Sequence, residues 1–278
     1  MRKHILLSLL AGLFFIFTGC ENTNVWEDEQ YMKQAYLIGI GEEGALVNRT
    51  ISYTDEEAEI FAAVAVSGSL DSDKDIHCVL VEEPSGIDIY NSKYKSSMDI
   101  QYRPLPATSY SIASLEAVVP AGETGARIPV KINPAGLHCD SLYAIALKMA
   151  SCAEYPIASP ETVVLFAINT SNDYSGHYNY TGTNNGISFS YIRTAVAVNK
   201  NTIRIYHSGN EDLSRVDDTG LTITVNADNT LSLAGWKNLN VTNASGTFDP
   251  DDGIFRFECE INGSKVEASL SIATSGIN

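Results

Sequence analysis

The last third of the chain alternates apolar and polar positions with little interruption. Ile187, Phe189 and Tyr191 take turns with Ser188 and Ser190, and Ile203 and Ile205 with Arg204 and Tyr206. Leu221, Ile223 and Val225 alternate with Thr222, Thr224 and Asn226; Phe255, Phe257, Cys259 and Ile261 oppose Arg256, Glu258 and Glu260. Val266, Ala268, Leu270 and Ile272 oppose Lys265, Glu267, Ser269 and Ser271. A period of two puts one set on a buried face and the other toward water, as in half-buried β-strands. Tight-turn signals join the runs: Asn199-Lys200-Asn201, Asp228-Asn229-Thr230, Asp251-Asp252-Gly253 and Asn262-Gly263. Hairpin-linked strands with one apolar face predict an up-and-down antiparallel sheet. About eight of them tend to curl into a small barrel.

Between Gln34 and Asn169 the runs are shorter and their turns richer in proline. Ala35–Ile38, Glu59–Val66, Asp75–Val81, Ser109–Ile112, Glu116–Val119, Arg127–Ile132, Leu142–Met149 and Thr162–Ile168 read as strands. Pro84-Ser85-Gly86, Pro120-Ala121-Gly122, Asn133-Pro134-Ala135-Gly136 and Tyr155-Pro156 separate several of them. Residues 87–100 are ambiguous, a loop or a single helical turn, and no window of helix length shows a 3.6-residue period. Strands at this spacing predict an antiparallel sandwich of immunoglobulin-like type. The polar run Ser171–Gly176 marks a domain boundary.

The start of the chain has a different pattern. Arg2, Lys3 and His4 precede an apolar run, Leu6–Phe17, that ends in Thr18-Gly19-Cys20. A basic start, an apolar core too short to span a bilayer and small residues before a cysteine predict a lipoprotein signal peptide over 1–19. The Cys20 thiol would take a diacylglycerol and the new amine an acyl chain, enough chains for a stable anchor. This predicts a lipid anchor in the outer membrane, facing the cell surface. The acidic stretch Glu21–Gln30 reads as a flexible tether, or as a surface-export tag.

The sequence carries 18 basic and 34 acidic residues, a net charge of −16, which loss of Arg2 and Lys3 with the leader moves to about −18. A field of that sign repels phosphate backbones and anionic headgroups, so nucleic acid is excluded as a partner. Cys78 and Cys259 fall on the apolar side of their strands and read as small core residues. Cys139 and Cys152 flank one strand, so bonding them requires the chain to fold back. The reading is mostly free thiols, with one long-range bridge left open.

The order of landmarks resembles a known layout. Tyr90-Asn91, Leu105-Pro106 followed by Tyr110, Val119-Pro120-Ala121-Gly122 and Leu142-Tyr143 are similar to an uncharacterised immunoglobulin-like N-terminal domain of Bacteroidetes surface lipoproteins, often labelled cell adhesion. Tyr174, Gly176-His177-Tyr178, Gly246-Thr247-Phe248-Asp249 and Gly253-Ile254-Phe255 resemble the lipocalin-like C-terminal domain that accompanies it. The resemblance implies an all-β chain: signal peptide 1–19, tether 20–33, immunoglobulin-like sandwich 34–170 and lipocalin-like barrel 174–278. It implies a class of role, adhesion or glycan use, and brings no catalytic residues.

Candidate chemistry is sparse. Asp71-Ser72-Asp73-Lys74-Asp75 and Asp249-Pro250-Asp251-Asp252-Gly253 have the carboxylates of calcium loops, but the first has Ile76 where glycine belongs, and both read better as solvated turns. The histidines are scattered, with no zinc-protease motif or nucleophile elbow. No metal or cofactor is expected, and no catalytic residue. Trp236, with Tyr178, Tyr180, Tyr191 and Tyr206 in the same domain, is the candidate ligand-binding set, because such rings stack on sugars while their polar edges hydrogen-bond. The alternative is a tryptophan plugging one end of the barrel core. The leading expectation is a non-catalytic surface protein in adhesion or glycan binding. The competing ones are an accessory protein-binding subunit of an outer-membrane glycan-import assembly and a glycoside hydrolase.

Overall fold

The structure is a computed structural model that describes residues 27–39, 45–53 and 57–273. The leader, Cys20 and the tether up to residue 26 lie outside the described residues. The first ten strands are β1 (Ala35–Leu37), β2 (Leu46–Ser52), β3 (Ala58–Val66), β4 (Ile76–Glu82), β5 (Tyr102–Pro104), β6 (Tyr110–Ile112), β7 (Glu116–Val119), β8 (Gly125–Ile132), β9 (Leu142–Cys152) and β10 (Val163–Ser171). They form a sandwich, with sheet order β1-β3-β8-β6 on one side and β2-β10-β9-β4-β7 on the other, β5 pairing β9. Ile60, Val64, Ile128 and Val130 from one sheet meet Ile145, Leu147, Val164 and Phe166 from the other in a single core. Two pairings, β2 with β10 and β5 with β9, are parallel. Alternation carries no information on strand direction, so these departures from an all-antiparallel sandwich were invisible in sequence.

The stretch read as a loop or a single helical turn is a ten-residue α-helix, α1 (Ser85–Tyr94). It escapes a periodicity test because its buried residues are Gly86, Ile87 and Asn91, only one of them strongly apolar. Gly86 lets the helix approach β10 closely: a Cβ there would lie 2.5 Å from Val163 Cγ1. Asn91 fixes the helix to β5, accepting from the Tyr102 N–H at 2.9 Å and donating to the Tyr102 carbonyl at 2.8 Å. Ile87 packs on Ala144, Ala146 and Leu165. That cover explains why β9 and β10 are apolar on both faces.

The end of the tether is docked. Glu29 accepts from the Ser69 N–H at 2.6 Å and the Ser69 hydroxyl at 2.7 Å, and Lys33 donates to the Asp71 carbonyl at 2.8 Å.

The second half has β11 (Gly176–Asn184), β12 (Ile187–Ala197), β13 (Thr202–Tyr206), β14 (Gly220–Val225), β15 (Leu231–Gly235), β16 (Val241–Asp249), β17 (Ile254–Ile261) and β18 (Ser264–Ile272), with a short helix α2 (Val216–Thr219) before β14. All pairings are antiparallel, in the order β15-β14-β13-β12-β11-β18-β17-β16. The edges β15 and β16 meet at a single bridge, Thr230 to Thr247, so the sheet is a nearly closed barrel. Tyr180, Ile203, Ile205, Leu221, Ile223, Phe255 and Leu270 fill it.

One strand departs from the alternating pattern. Every residue of β13 is buried, because its outer face, Arg204 and Tyr206, is covered as well as its inner one. The Arg204 guanidinium binds Asp140, which follows β8 in the sandwich, with Nη2 to Oδ1 at 2.6 Å and a second bond from Nη1 to Oδ2. Asn172 reinforces the junction, donating to the carbonyls of Asn199 at 2.7 Å and Thr202 at 3.0 Å.

Candidate functional site

The pairing of β12 with β13 sets the site. Only two residue pairs join them, Val196 with Arg204 and Ala197 with Ile203. From residue 195 back to 187, β12 keeps β11 on one side, while on the other it has in part the segment after β13. There Thr194 donates its N–H to Glu211 Oε1 at 2.7 Å and Arg193 Nη2 donates to the Gly209 carbonyl at 2.9 Å. Nearer the start of β12 the gap is an open groove of about 350 Å³, lined by Asn184, Asn185, Ser188, Phe189, Tyr191 and His207 among others. The hairpin Asn185-Gly186 bounds it, both residues at positive φ (48° and 80°), the conformation of a two-residue type I′ turn.

The groove is aromatic on its β12 wall and polar elsewhere. The Phe189 and Tyr191 rings stack at 5.6 Å with planes 22° apart, and Tyr191 is 40% exposed. Phe189 rests in turn on Tyr180, 4.8 Å away. The Tyr180 hydroxyl lies 3.1 Å from His207 Nδ1. Burial, reinforced by the nearby Arg193 charge, pushes the His207 pKa down to about 4, so the imidazole is neutral at ordinary pH. Burial likewise pushes the Tyr180 phenol well above its usual range.

The five aromatic residues singled out in sequence are not brought together. Tyr191 lies on the groove. Tyr180 does not reach the groove: it is fully buried, packed against Phe189. Tyr178 packs against Phe255 inside the barrel and donates its hydroxyl to the Tyr174 carbonyl at 2.9 Å, offering no face to a ligand. Tyr206 is buried on the barrel's outer face beside Arg204, 5.5 Å from ring centroid to guanidinium. Trp236 follows β15 at the domain junction, where its ring meets His138 edge-on at 5.8 Å and the Arg204 guanidinium at 5.2 Å. Trp236 thus packs at the domain junction and does not line the groove with Tyr191. Sequence reading passed over Asn184, Asn185 and His207. The Asn185-Gly186 dipeptide was an available hairpin signal.

Other candidate chemistry is structural. His138, Cys139 and Asp140 place their ligand atoms within 4.8 Å of one another, but Asp140 is engaged by Arg204. Arg204 Nη1 is also 3.7 Å from the Cys139 sulfur, and burial pushes that thiol up to about 11. A guanidinium stands where a cation would have to sit. In the acidic turns, Asp75 accepts the Ala121 N–H at 2.9 Å, and Asp249 accepts those of Asp251 and Asp252 at 3.2 and 3.4 Å. A second groove, of about 290 Å³, runs beside α1 and is lined by Ile89, Tyr90, Tyr94 and Val163 among others.

Residues 31–156 match a family model described as an N-terminal domain, and residues 162–270 match a second described as a C-terminal domain. The chain is one N-terminal and one C-terminal family domain in tandem. No curated protein matches the sequence. The tandem fold recurs in Bacteroides. A protein of unknown function from Bacteroides ovatus is similar at a TM-score of 0.63 and 15% identity, over 87% of this chain and 94% of its own. A multidomain protein including DUF1735 from the same organism gives 0.60 and 15% over 87% and 93%. An auxiliary nutrient binding protein from Bacteroides thetaiotaomicron gives 0.57 and 12% over 84% and 93%. At these identities the likeness is one of fold.

Proposed function

We propose that this chain is a non-catalytic glycan-binding lipoprotein, anchored through Cys20 in the outer membrane and displayed at the cell surface. The observation that carries the binding reading is the stacked Phe189–Tyr191 pair on an open groove rimmed by Asn184, Asn185 and Ser188. A sugar suits that combination: exposed aromatic carbon for its C–H groups, and amides and hydroxyls for its own hydroxyls. No carboxylate is among the described residues that line the groove, whereas glycoside hydrolysis uses a facing pair, so binding is favoured over hydrolysis. The fold shared with an auxiliary nutrient binding protein supports the same reading, and the Leu6–Cys20 pattern supports the anchor.

Glycan-array screening followed by calorimetry on the purified protein tests the binding. Tyr191→Ala should weaken the best ligand by about tenfold or more without lowering the melting temperature; unchanged affinity would remove Tyr191 from the site. Palmitate labelling that fails to mark the chain, or leaves Cys20→Ala indistinguishable from wild type, would remove the anchor. A second reading, a protein partner within an import assembly, draws on the exposed apolar side chains of α1 and the residues after it, Ile89, Tyr94, Met98 and Ile100. Loss of a co-purifying partner in Ile89→Asp, with glycan affinity intact, would favour it.

A further inference from the structure

Arg193 continues the inward-facing column of β12, two residues beyond Tyr191. It is 4% exposed, and its guanidinium lies 4.3 Å from the Tyr191 ring centroid. Nη2 donates to the Gly209 carbonyl, Nε is buried with no acceptor, and no carboxylate pairs with it among the described residues. Arginine stays charged at any relevant pH, and an unpaired charge is costly to bury. The other fully buried arginine, Arg204, grips an aspartate with both Nη atoms. Acids are not scarce, at 34 against 18 basic residues, so the missing counter-charge is particular to this place. The neighbouring histidine is held neutral, which leaves a single net positive charge directly behind Tyr191, one of the residues that line the groove.

We infer that the groove takes an acidic saccharide, with a uronic-acid carboxylate held by Arg193 and the sugar ring set against the exposed part of Tyr191. This rests on the glycan-binding reading above and names its ligand class. A planar carboxylate matches the guanidinium fork. One isolated cation in a strongly anionic protein favours a ligand with a single charge per residue over a densely sulfated one, which the surrounding field repels.

The test uses the purified full-length protein and a panel of galacturonate, glucuronate-containing and mannuronate oligosaccharides, each beside its carboxyl-reduced neutral form and a sulfated oligosaccharide. At least one uronate should bind about tenfold or more tighter than its reduced form. Arg193→Met should erase that difference, and Tyr191→Ala should weaken both forms. Equal binding of acidic and reduced forms overturns the inference but leaves the glycan reading standing; so does preference for the sulfated ligand. Binding of no saccharide, acidic or neutral, sinks both. The wild-type comparison alone decides the matter if Arg193→Met does not fold.

In the sandwich, Cys78 of β4 and Cys152 of β9 are direct cross-strand partners next to a β-bulge. Burial and the adjoining Cys152 thiol push the Cys78 thiol up to about 12. Cys152 is half-buried and Cys78 fully buried, so the first sulfur accessible to a reagent is that of Cys152. We propose that the two form a disulfide when a small disulfide oxidant is present. The Cys152 thiolate attacks oxidised glutathione, forming a mixed disulfide and releasing one glutathione thiolate. Cys78 then loses its proton, attacks the Cys152 sulfur and expels the second, so two protein thiols are oxidised as one glutathione disulfide is reduced. Cross-strand partners lie within the Cα separation a disulfide requires.

Full-length protein refolded in a glutathione redox buffer, alkylated and digested with trypsin should yield a linked pair of peptides, 75–93 with 149–193. Cys139 and Cys259 should be recovered alkylated. Cys152→Ser should abolish the linked pair and lower the melting temperature of the oxidised protein to that of the reduced wild type. Recovery of Cys78 and Cys152 both alkylated, after oxidation of native and of refolding protein alike, overturns the proposal.

Discussion

Arg204 in the barrel holds Asp140 in the sandwich with both arms of its guanidinium, while itself only 1% exposed. The pair is the electrostatic hinge pin of the domain junction, with Trp236 and His138 packed edge to face around it. Removing one partner leaves the other charge buried and uncompensated. Asp140→Ala should cost about 3–5 kcal/mol in urea unfolding. The double change Arg204→Met with Asp140→Leu should recover most of that loss, because no charge is then stranded. Additive losses in the double variant would show that the pair's role is not charge compensation.

His207 gives stability a defined acid edge. Its folded pKa, near 4, lies below the ordinary 6.5, so the unfolded chain binds the proton more readily. The contribution is complete above pH 6.5 and is lost as pH falls from 6.5 through 4, up to about 3 kcal/mol in total. Subtracting the unfolding free energies of His207→Gln from wild type across that window should give a slope; a flat difference would mean the imidazole is not held neutral by its burial and the Arg193 charge.

Glu29 predicts the opposite end of the acid range for the docked tether. Hydrogen bonds from the Ser69 backbone and side chain hold its pKa at about 2, below the ordinary 4.5. The attachment is present above pH 4.5 and is lost as pH falls toward 2. The protection factor of the Ser69 amide should fall over that interval, and Glu29→Gln should show low protection already at neutral pH.

Gly182 tests the barrel wall. A Cβ there would stand 2.1 Å from the Glu267 carbonyl oxygen and 2.8 Å from the Ala268 Cα on β18. Gly182→Ala should push β11 from β18 and destabilise by about 2 kcal/mol or more in a thermal melt. Gly263→Ala, where the space is open and only the positive φ of 80° resists, should cost about 1 kcal/mol. Equal losses would show that strand spacing is not set at residue 182.

The barrel was legible because each strand solves the same local problem: Phe255, Phe257, Cys259 and Ile261 all point inward, as their spacing requires. What escaped notice depends on neighbours distant in sequence. The outer face of β13 reads as polar and is buried only because another domain lies on it. The α1 helix is recognisable only by what packs over it, since a glycine and an asparagine form much of its contact face. The site was half legible. Trp236 leads the candidate set and Tyr191 joins it by residue type and shared domain, and type does not say which end of a barrel a residue occupies. The alternation that sets Ile187, Phe189 and Tyr191 on one face of β12 runs on to residue 193, although Ile187 and Tyr191 are exposed. Followed through, it places a charged side chain in the interior, the kind of conflict between pattern and polarity that marks a site.

The bidentate grip on Asp140 also limits how these domains can be recombined. A barrel transplanted onto a different partner would carry a guanidinium with nowhere to go, so the two are not freely exchangeable cassettes. Any chimera that keeps this barrel has to import an acid at the equivalent place on its new neighbour, or give up the arginine.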